Sequence, residues 1–189
     1  MMNSMSKYYY DSCGKERRKE RIEEKCPTII KCGCPSSVTI PAGTAAGATP
    51  FTLASLTLDT SCLCDPTTKL EFASNIVVPT GFTSGAINIQ IFKQCRCQLA
   101  PVPVGPVWSF IPAAGSAGTF SFFICDSDSC NNDCCTYTAV ATVTTAIGTV
   151  GLPINNATLG AISTCKSNRC NECKREHYYD CLLYTSDAA

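Results

Sequence analysis

The chain has 189 residues, with 15 basic and 15 acidic side chains and therefore no formal net charge, a balance that gives no footing for nucleic-acid binding. At this length a single domain of ordinary size can bury a real core, so its 16 cysteines are not required merely to rescue a tiny fold. No stretch approaches the roughly 20 apolar residues of a membrane span, which excludes a membrane partner of the helical kind.

The first segment, Met1 to Lys31, reads as an arm. Its run GKERRKERIEEK holds one apolar residue, Ile22, and so has no face with which to join a core. Glu16, Glu20, Glu23 and Glu24 nearly cancel the basic residues there, which again argues against a nucleic-acid arm. The opening MMNSMSKYYYDSCGKERRKE contains no apolar leader. The expectation is a product made in the cytosol and released by lysis of the producing cell. That route reconciles the missing leader with a cysteine density suited to oxidising surroundings.

From Cys32 to Cys165 the chain reads as a β-sandwich domain. Between Cys32 and Thr164 the only charged residues are Lys69, Lys93 and Arg96 with Asp59, Asp65, Glu71, Asp126, Asp128 and Asp133. That is far below the usual share of about a quarter, and it suits a surface destined to be covered by neighbours. In chain order, strands are predicted at Ser37–Ile40, in FTLASLTL from Phe51, at Lys69–Val78, in INIQIF from Ile87, at Val107–Ile111, in TFSFFI from Thr119, in TYTAVATVT from Thr136 and at Ala157–Thr164. Period-two alternation of β-branched and aromatic residues means one buried face per strand. PAGTAAGATP, PTGFTSG, PVPVGP, IPAAGSAG and TAIGTVGLP separate them as turns. Eight short strands with hardly a helix signal predict an all-β antiparallel sandwich, an eight-stranded jelly roll. Trp108 is expected to anchor its core. Residues 166–180 form a cysteine-containing tail. The end, CLLYTSDAA from Cys181, resembles the translation of a sequencing adapter and is set aside, which leaves 15 cysteines.

Three C-x-C pairs, Cys32/Cys34, Cys62/Cys64 and Cys95/Cys97, lie near strand ends. In extended chain, residues two apart face the same way with Cα atoms near the limit of disulfide reach. Each sulfur therefore pairs more naturally with another segment or another molecule. An odd count, with Cys13 and Cys26 on an arm that cannot pack, points to bonds between molecules. The expected intermolecular cysteines are Cys13, Cys26, Cys32, Cys34, Cys134 and Cys135. The adjacent pair Cys134/Cys135 points to opposite faces of a strand, so that one can close inside the domain. The remaining disulfide candidates are Cys62, Cys64, Cys95, Cys97, Cys125, Cys130, Cys165, Cys170 and Cys173. The expected partner is a second copy of the chain, reached by exchange of the arm, with related surface proteins as further partners.

The motifs KCGCPSS from Lys31, LDTSCLCDP from Leu58, EFASNIV from Glu71, IQIFKQC from Ile89, PVPVGPVWSF from Pro101, FFICDSDSCNNDCCTYT from Phe122 and NNATLGAISTC from Asn155 resemble an uncharacterised cysteine-rich family of spore-forming clostridia, a domain of unknown function. The likeness runs from about Ile30 to Cys165 and implies no reaction. A looser likeness, at fold level, is to the subunits of endospore appendage fibres, whose N-terminal connector crosslinks neighbouring subunits. Cys13 and Cys26 occupy the equivalent region. This likeness implies a self-assembling structural protein on a spore surface, either an appendage fibre or a coat layer.

Two other classes compete. A metal-binding protein is suggested by Cys170-x-x-Cys173, but that is half a zinc site, and the one histidine, His177, is the only nitrogen ligand in reach of the pattern. The loop at Asp126 and Asp128 begins like a calcium loop, yet Asn131 and Tyr137 stand where glycine and glutamate are needed. No metal and no cofactor is expected. A jelly-roll binding module would show itself in its loops, which carry few aromatics beyond Phe82. An enzyme is not expected, because the sandwich region has no histidine to serve a cysteine nucleophile.

Overall fold

A computed structural model describes residues 27–61, 63, 65–96, 98–127 and 134–166. These form nine strands: β1 (Ile29–Cys32), β2 (Ser36–Ile40), β3 (Phe51–Asp59), β4 (Pro66–Val77), β5 (Ala86–Cys95), β6 (Val102–Phe110), β7 (Ala117–Asp126), β8 (Cys134–Thr145) and β9 (Leu152–Cys165). All pairings are antiparallel. One sheet runs β1-β9-β4-β7, with β2 also on β9, and the other runs β3-β8-β5-β6. From β3 onward the chain passes repeatedly between the two sheets. Read from β2 to β9, this is the eight-stranded jelly roll, as the alternation predicts.

The alternation becomes two inner faces. Ile87, Ile89 and Ile91 of β5 and Ala139, Ala141 and Val143 of β8 point into the sandwich, as do Leu70, Phe72 and Ile76 of β4 and Ile154, Ala157 and Leu159 of β9. Each fully buried aliphatic or aromatic side chain contributes about 1.5–3 kcal/mol relative to exposure. In β3 the alternation slips, with Leu53 and Ala54 both buried, because the register to β8 shifts between Thr52 and Ala54. Such a bulge inserts an extra residue and bends the strand.

Three sequence expectations change. The arm was expected to run to Lys31, but β1 begins at Ile29, and Ile29 packs against the core. β1 and β2 lie one after the other along β9, on Gly160–Ser163 and Leu152–Ala157, as one interrupted edge strand. The interruption falls at Gly33, whose N–H donates to the Leu159 carbonyl at 2.8 Å. A Cβ there would stand 2.9 Å from the carbonyl oxygen of Ser55, so only glycine lets the edge approach β3 this closely.

The second change is PVPVGP, expected as a turn, which is the first half of β6. Strand β6 is the last of its sheet, where prolines are tolerated because one side needs no ladder donors. The register to β5 shifts between Ile89 and Ile91, and at that shift Gly105 takes a φ of 69°. Its missing side chain leaves room for Ile124 Cγ2, which a Cβ would meet at 2.9 Å.

The third is Trp108. It is 38% exposed and does not anchor the core. Edge strand β6 carries it to the seam between the sheets, where it stacks on Phe122 of β7 at 5.2 Å between ring centroids. Phe122 also meets Phe72 at 5.3 Å, and Phe120 meets Phe110 at 5.6 Å. This aromatic row closes the side of the sandwich where no strand joins β6 to β7.

Candidate functional site

The register brings the ends of β3, β5, β7 and β9 and the starts of β1, β4, β6 and β8 to one end of the sandwich. Asp59 opposes Cys134, Cys95 opposes Cys135, Pro66 opposes Cys165 and Ile29 opposes Ser163. The connections that join strands here, 60–65, 96–101 and 127–133, contain Cys62, Cys64, Cys97 and Cys130. The connections at the opposite end, 41–50, 78–85, 111–116 and 146–151, contain none. The domain is thus chemically polarised along its strands.

At the cysteine end, Cys95 and Cys135 are joined by a disulfide and are direct cross-strand partners on β5 and β8. The Cys95 N–H donates to Gln98 Oε1 at 2.9 Å, and its carbonyl accepts from the Gln98 N–H at 2.8 Å. Because these groups turn to Gln98, Cys95 and Cys135 form a non-hydrogen-bonded pair, the kind in which facing side chains stand closest. Both cysteines are buried. Cys135, expected to reach a neighbouring molecule, is instead closed inside the chain, because the register sets it opposite Cys95. Cys134, also expected to reach a neighbouring molecule, is likewise disulfide-bonded within the chain, and so, separately, is Cys165.

One step deeper, Lys93 Nζ lies 2.8 Å from Asp126 Oδ2, and both side chains are almost fully buried. Tyr137 donates its hydroxyl to the same Oδ2 at 2.8 Å, and Lys93 stands 5.9 Å from the centre of the Tyr137 ring. Beside them Thr68 and Ser163, paired across β4 and β9, share a buried hydrogen bond of 2.9 Å between their hydroxyls. This polar layer bridges the two sheets, since Lys93 and Tyr137 belong to one and Asp126, Thr68 and Ser163 to the other. In the sequence Lys93 and Asp126 stand among the domain's sparse charges, with Asp126 also opening a calcium-like loop. A signal was available: Lys93 is in phase with Ile87, Ile89 and Ile91, and Asp126 with Phe122 and Ile124, so both had to face inward. Asp126 therefore serves an ion pair with Lys93.

Three cysteines among the described residues are free and exposed: Cys32, Cys34 and Cys125. Cys32 and Cys34 were expected to reach outward. Cys125, placed with the remaining candidates, joins them because β7 alternates and sends Phe122, Ile124 and Asp126 inward. Cys13, Cys26, Cys62, Cys64, Cys97, Cys130, Cys170 and Cys173 lie outside the described residues. No group of three or more potential metal ligands is found among the described residues.

The fold and its sulfur chemistry define a cysteine-rich jelly-roll domain, internally bridged at one end and carrying free thiols on its surface. The chain belongs to the family described as Domain of unknown function (DUF4489), whose profile matches residues 26–164. No curated protein matches it. Among solved structures, one of infectious bursal disease virus, Gx strain, superposes with a TM-score of 0.45 at 11% identity, over 74% of this chain and 32% of that one. This chain therefore spans about a third of that structure's length. A non-crystalline cellulose-specific carbohydrate-binding module, CBM28, gives 0.40 at 14% identity over 65% and 73% of the two chains. A family 11 carbohydrate-binding module from Clostridium thermocellum gives 0.37 at 11% identity over 76% and 92%.

Proposed function

We propose that this protein is a non-catalytic structural subunit that assembles with copies of itself into a disulfide-crosslinked polymer on an endospore surface, as a fibre or coat layer. The observation that carries this reading is the contrast between its two kinds of cysteine. Cys95 and Cys135 are buried and joined within the chain, whereas Cys32, Cys34 and Cys125 are exposed thiols on a domain with very little charge. A monomer held in solution needs surface charge and gains nothing from exposed thiols. A subunit whose faces are covered by neighbours needs little charge, and thiols at those faces turn contact into covalent linkage.

In this reading the N-terminal segment carries Cys13 and Cys26 onto a neighbouring subunit. A contact between arm and sandwich is heterologous and propagates into rings or filaments. Lysis of the mother cell would deliver the reduced subunit to an oxidising exterior. The expected behaviour is a ladder of bands on non-reducing gels of the oxidised full chain, collapsing to one band with reductant, together with ordered assemblies in electron micrographs. Strictly monomeric protein after oxidation would remove the proposal. A Cys13→Ser/Cys26→Ser variant isolates the arm's share, and its ladder is expected to be lost or shortened.

A further inference from the structure

The outer face of the five-stranded sheet carries two of the free thiols and an unusual set of neighbours. Two rows of outward residues run across it. Cys32 of β1, Gly160 of β9, Glu71 of β4 and Phe123 of β7 form one row, and Ile30, Ile162, Lys69 and Cys125 form the next. Ile30 is 70% exposed and Phe123 61% exposed, with Ile162 also open. Lys69 and Glu71 pair with each other, and Lys69 stands 5.0 Å from the centre of the Phe123 ring. The charges of these two rows therefore cancel on the face itself.

Cys32 and Cys125 cannot meet within one chain. They are separated by three interstrand steps of about 4.8 Å and by two residues along the strands, about 16 Å in all. A disulfide needs Cα atoms within about 7 Å. They do, however, stand at opposite corners of the two rows, related through a point midway between β9 and β4. A two-fold axis lying in the interface, at right angles to the line joining them, sets Cys32 of one copy over Cys125 of the other, and the reverse at the second corner. The same operation brings Phe123 of each copy over β9 of the other, between Thr158 and Gly160, and at Gly160 a Cβ would find nothing nearer than 3.9 Å.

We propose that this face is an isologous interface between two copies of the chain, closed by two reciprocal Cys32–Cys125 disulfides. The proposal rests on the self-assembly reading above and names a contact distinct from arm exchange. Two features select a second copy over another occupant. The rows are locally neutral, so a copy meets no like-charge repulsion. The two thiols are placed to satisfy each other under one two-fold operation. Each bond forms by thiol–disulfide exchange with a small-molecule disulfide such as oxidised glutathione. One thiolate displaces one glutathione thiolate to give a mixed disulfide, the opposing thiolate then displaces the second, and the two protons of the protein thiols end on the two released glutathione thiols.

The test mixes reduced full-length chain of natural isotope content with 15N-labelled chain, oxidises the mixture with glutathione disulfide, and digests it without reduction. Mass spectrometry is expected to find a Cys32–Cys125 peptide pair with one light and one heavy member. The pair is expected to persist in Cys13→Ser/Cys26→Ser protein, which separates this interface from arm exchange. Phe123→Glu, at an exposed position where the fold is not at stake, is expected to slow formation of the pair at least about tenfold, while Phe123→Leu retains it. Cys32 and Cys125 found alkylatable, capped by glutathione, or bonded to Cys13 or Cys26 overturns this interface while leaving crosslinked assembly standing. Absence of every interchain bond overturns both.

Discussion

Lys93 and Asp126, 33 positions apart and on strands of different sheets, meet at 2.8 Å inside the sandwich, and Tyr137 donates a third group to the same carboxylate oxygen. Breaking a buried ion pair by removing one member costs about 3–5 kcal/mol. Asp126→Ala is therefore expected to lower unfolding stability by that amount in urea titrations. Replacing the pair together, as Lys93→Met/Asp126→Leu, is expected to cost less than the single change, because both buried charges are then replaced by apolar groups. Tyr137→Phe keeps the ion pair and loses one hydrogen bond, about 1.5–3 kcal/mol for a bond to a charged acceptor.

The bond between Cys95 and Cys135 closes a sequence separation of 40 residues. In the chain-entropy account a loop of this size gives about 4 kcal/mol of stability. A Cys95→Ala/Cys135→Ala variant is expected to lose up to that amount in the same titration. Its strand pairing is expected to persist, since the ladder between β5 and β8 runs well beyond this pair.

Thiol labelling separates the two kinds of cysteine. Brief treatment of the reduced-surface monomer with iodoacetamide is expected to modify Cys32, Cys34 and Cys125. Cys95 and Cys135 are expected to react only after unfolding in the presence of reductant. Peptide mapping reads each site directly, and modification of Cys95 in the folded protein would contradict the burial described here.

Trp108 sits on a seam and not in the centre. Its fluorescence is expected to be quenched by acrylamide in the folded protein, as a fully enclosed indole would not be. Trp108→Ala is expected to cost about 2 kcal/mol, less than the roughly 3–5 kcal/mol of a core tryptophan, since part of the ring already meets solvent.

Most of the strand plan was legible because period-two alternation is a local property. FTLASLTL, INIQIF, TFSFFI and TYTAVATVT each declare a buried face without reference to any other segment, and each is a strand. The four residues of β1 were missed for the opposite reason: Ile30, Lys31 and Cys32 are all exposed, and a short edge strand bordering a charged segment has no alternation to show. The first half of β6 was hidden by Pro101, Pro103 and Pro106, whose tolerance depends on the strand being last in its sheet. Trp108 was misplaced on the same ground, since an edge position is a tertiary fact. The Cys95–Cys135 bond needed the register of β5 on β8, and the Lys93–Asp126 contact needed one sheet laid on the other. The inward phase of both charged residues was present in the sequence and was the one overlooked clue.

The depth of the Cys95–Cys135 bridge has a practical corollary. With these two residues only 3% and 7% accessible, an attacking thiolate must wait for the fold to open, whereas any linkage made through Cys32, Cys34 or Cys125 stands in its path from the start. A gentle reducing wash would accordingly dismantle joined particles into intact building blocks, ready to be reoxidised and reused.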